Sequence, residues 1–409
     1  MTNMKIDDKT RHNSPSLRFP EFTGEWEEST IGKEFDLYSG NTPSRLNKEH
    51  FKGKVNWISS GELKNHYIYS SKEQISEDAA KNLKLLPKGT FVIAIYGLEA
   101  EGVRGTGSIT QEPSTISQAC MAFIPQGDIE NEFLYSWYKK HGEVIGVRYA
   151  QGTKQQNLSY DILEKFKIAY PSIKEQKKLN KFIALLDERI AVQNRLIDRL
   201  QSLMIGLNNS LYEQYGNDIT TSFMELGYSY SGLSGKSAKD FGSGKPFITY
   251  LNVYSNIIVD ETDYQYVRIN DGEKQNIVRT GDVLFTLSSE TPEEVGIGSV
   301  YLGEKEVYLN SFCFGIHIER NQLAYSPYLS YYVTSTAFRK FIYPFAQGST
   351  RFNLCKADFE KASIKLPSLD NQKRISAMLD CIAEKIRAEK AILEYYNIQR
   401  QYLLRQMFI

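Results

Sequence analysis

Cysteine is scarce in this chain: four occur in 409 residues, Cys120, Cys313, Cys355 and Cys381, and no two stand at C-x-x-C spacing. That excludes a disulfide scaffold and a thiolate metal site, and it predicts reduced core thiols. Net charge is missing too, because 49 Lys and Arg balance 49 Asp and Glu. The chain as a whole therefore lacks the basic field that carries a solitary nucleic-acid binder, although local basic clusters are compatible with neutrality. No run approaches the roughly 18 apolar residues of a membrane span. The polar stretch from Met1 to Pro15 has no apolar core of the signal-peptide kind, so the cytoplasm is the expected compartment and no membrane partner is expected.

Catalytic groups are equally thin. The histidines, His12, His50, His66, His141 and His317, never pair at ligand spacing, so no metal site is expected. No Pro-Pro occurs, which removes the Asn/Asp-Pro-Pro-aromatic loop that grips a flipped adenine and excludes methyl transfer by that route. Gly232-Leu233-Ser234-Gly235-Lys236-Ser237 falls short of a phosphate loop because Tyr230 stands where the first glycine belongs. Glu293-Glu294 has no basic or metal-binding neighbour and reads as a solvated loop pair. The expectation is a chain with no catalytic residue and no cofactor of its own.

What the chain does have is a large internal repeat. Ala150-Gln151-Gly152, Asn157-Leu158, Pro171-Ser172 and Gln176-Lys177 recur as Ala346-Gln347-Gly348, Asn353-Leu354, Pro367-Ser368 and Gln372-Lys373 at a constant offset of 196 residues. A duplication of this size predicts two globular units on one plan. Before each strip, β-like runs follow in matching order, Thr90–Tyr96 and Cys120–Ile124 in the first copy, Gly281–Leu287 and Cys313–Ile316 in the second. A helical patch follows each, at Glu132–Val147 and Pro327–Phe341. Here the offset drifts, so these bodies share architecture with few identities and suit two different ligands of one class.

After each strip comes a helix. Leu179, Ile183, Leu186, Ile190, Gln193, Ile197, Leu200, Met204, Leu207 and Leu211 alternate steps of four and three, a heptad seam. Adding 196 gives Ile375, Leu379, Ile382, Ile386, Glu389, Leu393, Tyr396, Arg400, Leu403 and Met407. Two such helices related by a dyad must run antiparallel, and their polar layer, Gln193 with Glu389, is the expected register pair of a coiled coil. Ser172 and Glu175 form an S-x-x-E capping box. A helix of about 40 residues spans about 60 Å, which corresponds to about 17 base pairs.

The polar islands between the strands are the candidate contacts. In the first copy they are Asn41, Thr42, Ser44, Arg45 and Lys48, then Ser59, Ser60, Lys64 and Asn65, then Arg104, then Lys154, Gln155, Gln156 and Asn157. The second copy offers Ser234, Lys236, Lys239, Asn252, Ser289, Thr350, Arg351 and Asn353. Lys and Arg suit phosphates, and Asn, Gln, Ser and Arg can also read base edges.

Three segments carry a resemblance: Trp57-Ile58-Ser59-Ser60-Gly61-Glu62, the loop Ser39-Gly40-Asn41-Thr42-Pro43-Ser44, and Gly152-Thr153-x-x-x-Asn157-Leu158 leading to Pro171-Ser172-x-x-x-Gln176. Together they resemble the specificity subunit of type I restriction-modification systems over nearly the whole chain. The resemblance implies an α+β architecture of two similar α/β target-recognition domains, separated by two long helices forming an antiparallel coiled coil in a pseudo-twofold tandem repeat. On that plan residues 1–16 are a flexible N-terminal arm and 17–171 the first target-recognition domain. The central spacer helix takes 172–215, the second domain 216–367 and the C-terminal spacer helix 368–409. The resemblance further implies a non-catalytic chain that binds double-stranded DNA and joins two methyltransferase subunits and the restriction subunits. S-adenosylmethionine, ATP and magnesium would belong to those partners.

Overall fold

The computed structural model describes residues 13–99, 102–152 and 156–409. The chain forms two compact units, Met1–Asn194 with Ala391–Ile409, and Arg195–Lys390. In the first, a mixed sheet runs in the order Phe35–Ser39, Cys120–Pro125, Phe91–Ala94, Gly107–Thr110, Tyr67–Ile68. Beside it Val55–Ile58 pairs antiparallel with Glu73–Ile75 and parallel with Ser114–Ile116. Glu27–Thr30 and Lys167–Tyr170 pair to close the domain at its ends. The second unit repeats this plan. Its sheet runs Gly227–Ser231, Cys313–Ile318, Val283–Thr286, Gly298–Val300. Phe241–Ile248 pairs antiparallel with Tyr264–Val267 and parallel with Tyr308–Leu309, and Ile219–Thr221 closes on Ile364–Leu366.

The central strands are apolar throughout because both faces are covered. Phe91 and Ile93 enter one core cluster while Val92 and Ala94 enter another on the opposite face, as the two-residue period of a strand requires. Cys120 and Cys313 head equivalent strands and are buried, and burial pushes the Cys120 thiol up to about 12. The reading of all four thiols as core does not hold for Cys381, which is exposed off the helix seam, or for half-buried Cys355, whose thiol donates to Asp358 at 2.9 Å. The expected helical patches are present. The first is one helix, Asn131–Tyr149, and the second is split into Ser326–Tyr332 and Thr336–Ile342, where Ser335 caps the new start by accepting from the Phe338 N–H.

The two spacer segments are single helices, Ile173–Tyr215 and Leu369–Met407. Every position of both predicted seams is buried or half-buried. In the first unit Leu179, Ile183, Leu186, Leu403, Leu404 and Met407 belong to the same cluster as the sheet residues Phe91 and Phe123, each burial worth about 2 kcal/mol. Arg400 pairs with Asp187, and the Arg189 guanidinium lies 6.0 Å from the Tyr396 ring centroid. Rising numbers on one helix meet falling numbers on the other, so these two segments pack antiparallel. In the second unit Asn208 donates to the Tyr331 carbonyl at 2.8 Å and the Tyr331 hydroxyl donates to Asp380 at 2.6 Å, so both helix segments there grip the domain. Gln193 is buried in the first unit, and Glu389 is buried in the second beside Lys385, one helical turn before it.

The repeated Pro-Ser-x-x-x-Gln now has a physical meaning. Gln176 is fully buried, accepts from the Glu130 N–H at 2.9 Å, and donates to the carbonyls of Asp128 (2.8 Å) and Pro171 (2.9 Å). Gln372 does the same with the Tyr325 N–H (2.8 Å) and the carbonyls of Leu323 (2.8 Å) and Pro367 (2.9 Å). Each glutamine ties its helix start to the loop leading into its domain's helical patch. The capping-box reading of Glu175 is corrected: its carboxylate is held by Arg18 through two 2.7 Å hydrogen bonds. Of the expected N-terminal arm, residues 1–12 lie outside the described residues. Asn13 exchanges hydrogen bonds with Trp26 at 2.7 and 2.8 Å, and the Leu17 N–H donates to the Gln406 carbonyl at 2.9 Å, so the end of that arm is fastened.

Candidate nucleic-acid interface

In each unit three loops gather around one turn, and the backbone bonds that hold them coincide. In the first, the Gly40 N–H donates to Cys120 and the Asn41 N–H to Ile116. The Ser117 N–H reaches Ile58, just before the Ser59–Glu62 turn, and the Ile95 N–H reaches Ala119. Leu158, ending the repeated strip, donates to Ile95. In the second unit the Gly232 N–H donates to Cys313, the Asn310 N–H to Ile248, the Leu287 N–H to Phe312 and the Leu354 N–H to Leu287. Thus the turns 117–119 and 310–312 are equivalent centres. A side chain on Gly40 would meet the Ile116 carbonyl at 2.2 Å, and one on Gly232 the Asn310 carbonyl at 2.0 Å. That close approach is why Tyr-Ser-Gly appears in both copies.

Each copy of the repeated strip is closed by a pair of facing residues. Gln151 opposes Asn157 in the first unit and Gln347 opposes Asn353 in the second, in the same register. Gly152 and Gly348 follow the facing glutamines at φ of 117° and 143°, backbone that side-chain-bearing residues avoid. Asn353 pairs further with Ser288, and Asn157 with Tyr96.

The sequence-predicted residues divide once partners are seen. Asn41, Ser44, Lys48, Lys64 and Asn65 are exposed, and Thr42 and Ser60 half-exposed, on the first unit's loops. Arg45 is exposed but forms a bidentate pair with Glu73 at 2.9 and 2.7 Å, its guanidinium 4.5 Å from the Phe51 ring centroid. Hydrogen bonding to Arg45 holds the Glu73 carboxyl below its usual range. A pair this exposed is weak, so a phosphate can compete for it. Lys154 and Gln155 lie outside the described residues. The Gln156 N–H is taken by Glu99 at 2.9 Å. In the second unit Ser234, Lys239, Thr350, Arg351 and Asn353 are exposed.

Five assignments change. Ser59 caps its own turn, its hydroxyl donating to Glu62 at 2.8 Å. Arg104 binds the carbonyls of Leu98 (2.6 Å) and Glu99 (3.0 Å) and so stiffens the loop beneath the strip. The Lys236 side chain is only 6% exposed and donates to Glu273 and to the Arg268 carbonyl, each at 2.6 Å. That ammonium pulls the Glu273 carboxyl down to about 2. Asn252 is fully buried and organises the following loop by donating to the carbonyls of Asp260 (2.9 Å) and Asp263 (3.0 Å). Ser289 is buried and donates to Glu294 at 2.9 Å. These five hold their loops together through the hydrogen bonds just named. Sequence reasoning also passed over Phe312, an apolar residue beside a buried strand, whose only signal was that its counterpart is Ala119. Among the described residues no group of His, Cys, Asp and Glu could hold a metal ion, and no helix is long and apolar enough to cross a membrane.

A family model described as the type I restriction modification DNA specificity domain matches residues 23–202 and 233–395. The chain belongs to this specificity family. It is 22% identical over 412 residues to the type I restriction enzyme MjaIX specificity subunit of Methanocaldococcus jannaschii, covering 94% of this chain and 93% of that one. It is 27% identical over 150 residues to the StySPI specificity subunit of Salmonella potsdam, covering 36% and 32%. Among solved structures, the S subunit from M. genitalium aligns at a TM-score of 0.56 and 16% identity, over 97% and 99% of the two chains. A chain of a type I R-M system aligns at 0.58 and 18%, over 94% and 97%. The fold of this specificity subunit is thus that of the S subunits, and like them it is non-catalytic.

Proposed function

We propose that this specificity subunit reads a bipartite, asymmetric site on double-stranded DNA, one half per domain, the length of its two long helices setting the unread spacer. The observation that carries the reading is the repeated loop frame: backbone bonds coincide in the two units while the side chains exposed on it differ. One frame offers Asn41, Thr42 and Arg45, the other Ser234, Arg351 and Asn353, chemistry suited to phosphates and base edges. Mapping N6-methyladenine in DNA of the source cell, with this chain present and deleted, tests it. One gapped motif should vanish on deletion, and an unchanged map defeats the reading.

The same proposal includes two methyltransferase subunits and the restriction subunits as partners, in the cytoplasm. S-adenosylmethionine, ATP and magnesium would be bound by those partners. In the first unit Phe182, Leu185 and Val192 on one helix and Tyr395, Ile398 and Tyr402 on the other are exposed off the seam, beside a groove of about 650 Å³. Exposed apolar residues in that number mark a protein-binding face. Leu185→Glu combined with Tyr395→Glu should abolish co-purification with the methyltransferase and leave the melting temperature unchanged; retained co-purification would move the docking face elsewhere.

A further inference from the structure

The equivalent centres of the two loop frames carry different side chains. Ala119 occupies the position in the first unit and Phe312 in the second, each accepting from the N–H of the residue that follows the adjacent buried strand, Ile95 or Leu287. Phe312 is 55% exposed although its backbone is pinned, its N–H donating to the Asn310 side chain at 2.9 Å. The Arg351 guanidinium, from the hairpin of the repeated strip, sits 5.7 Å from the ring centroid, and Asn353 is exposed two residues further along that hairpin. On the next loop of the frame Leu251 is 67% exposed where the first copy has Gly61. An aromatic ring held out to solvent on a fixed turn, flanked by a guanidinium and an amide, presents three chemistries that a DNA groove can answer. The guanidinium meets a phosphate or guanine, the amide meets adenine, and the ring meets the one apolar group on a base edge, the thymine C5-methyl.

Resting on the DNA-reading function proposed above, we propose that Phe312 is a specificity determinant of the second domain and packs against the methyl group of a thymine in its half-site. The first domain, with Ala119 at the same place, makes no such contact. Because the ring is already exposed, its removal leaves no core cavity, and Phe312→Ala should fold as the wild type does.

The test uses the specificity subunit assembled with its methyltransferase subunits and a duplex selected from a randomised library. Replacing the thymines of one half-site by deoxyuridine should weaken wild-type binding about fourfold, the worth of one buried methyl group. The same replacement in the other half-site should have no effect. Phe312→Ala should bind the thymine duplex about tenfold more weakly than wild type and be indifferent to uracil, and Phe312→Leu should keep part of the thymine preference. Wild-type indifference to uracil in both half-sites overturns the proposal, as does a Phe312→Ala complex that binds or discriminates like the wild type. If the wild-type complex selects no motif at all, the DNA-reading function fails and this inference with it, an outcome distinct from the failure of Phe312 alone.

Discussion

Gln176→Leu should destabilise the first unit by about 4 kcal/mol, among the largest effects available to a single substitution in this chain. Leucine matches the side chain in bulk, so the cost is polar. The Glu130 N–H and the Asp128 and Pro171 carbonyls, now within 2.8–2.9 Å of the amide, would be left buried without partners, at about 1–3 kcal/mol each. For a unit of this size that is a drop of about 10 °C in melting temperature. Gln372→Leu should do the same to the second unit through Tyr325, Leu323 and Pro367. Amide exchange at Glu130 and Tyr325 reports the two sites separately. If either variant melts with the wild type and keeps its slow amide, water has replaced the glutamine and the anchoring role is wrong.

Those glutamines show what was legible. Their spacing from the prolines and the offset between copies stood in the sequence, because both the loop and the helix start are local. The seams were legible for the same reason: a heptad repeats within a few turns, and burial follows it at every predicted position. What could not be read was any role set by a distant partner. Glu175 looked like a cap because Ser172 is three residues away, yet Arg18 holds it from 157 residues away. Lys236 looked like a phosphate ligand because Glu273, on another loop, is invisible in a linear reading. Asn252 and Ser289 have the residue types that read bases, and in the fold they hold loops together. The polar residues chosen from the sequence fall on loops around the turns at 117–119 and 310–312, but only the folded backbone separates side chains that build a loop from those it exposes. Phe312 was hidden by the opposite error, since an apolar residue next to a strand reads as core.

A second large effect is expected at His66, and its sign can be derived. The ring is stacked between Tyr67 and Tyr135 at centroid distances of 4.1 and 4.0 Å. Its Nε2 lies 2.8 Å from Glu132 and its Nδ1 2.9 Å from Asp187, which also pairs with Arg400. Burial opposes the charge on His66, but the carboxylates of Asp187 and Glu132 outweigh it and hold the pKa above the usual value of 6.5. A raised pKa contributes stability that is complete below the unfolded value and is lost as pH rises through the folded one. Asp187 works at the other end: burial opposes its charge, His66 and Arg400 prevail, and its lowered pKa gives stability lost only as pH falls below 3.8. Two groups on the helix Asn131–Tyr149 titrate with the contrary sign. Burial, with help from Arg400, lowers Lys139 to about 8, and burial, with help from Lys140, lowers His141 to about 4. Each penalises the fold while charged and relaxes as pH rises. The measurement is therefore a difference between wild type and His66→Phe, in which those contributions cancel and ring stacking is kept. The variant should be less stable by about 2 kcal/mol at pH 6, the worth of hydrogen bonds to charged groups, and the gap should narrow toward pH 9 as the wild-type imidazolium loses its proton. A denaturant-unfolding gap that stays constant across that range would mean that the imidazole holds Glu132 and Asp187 through its ring nitrogens alone and that its charge adds no stability.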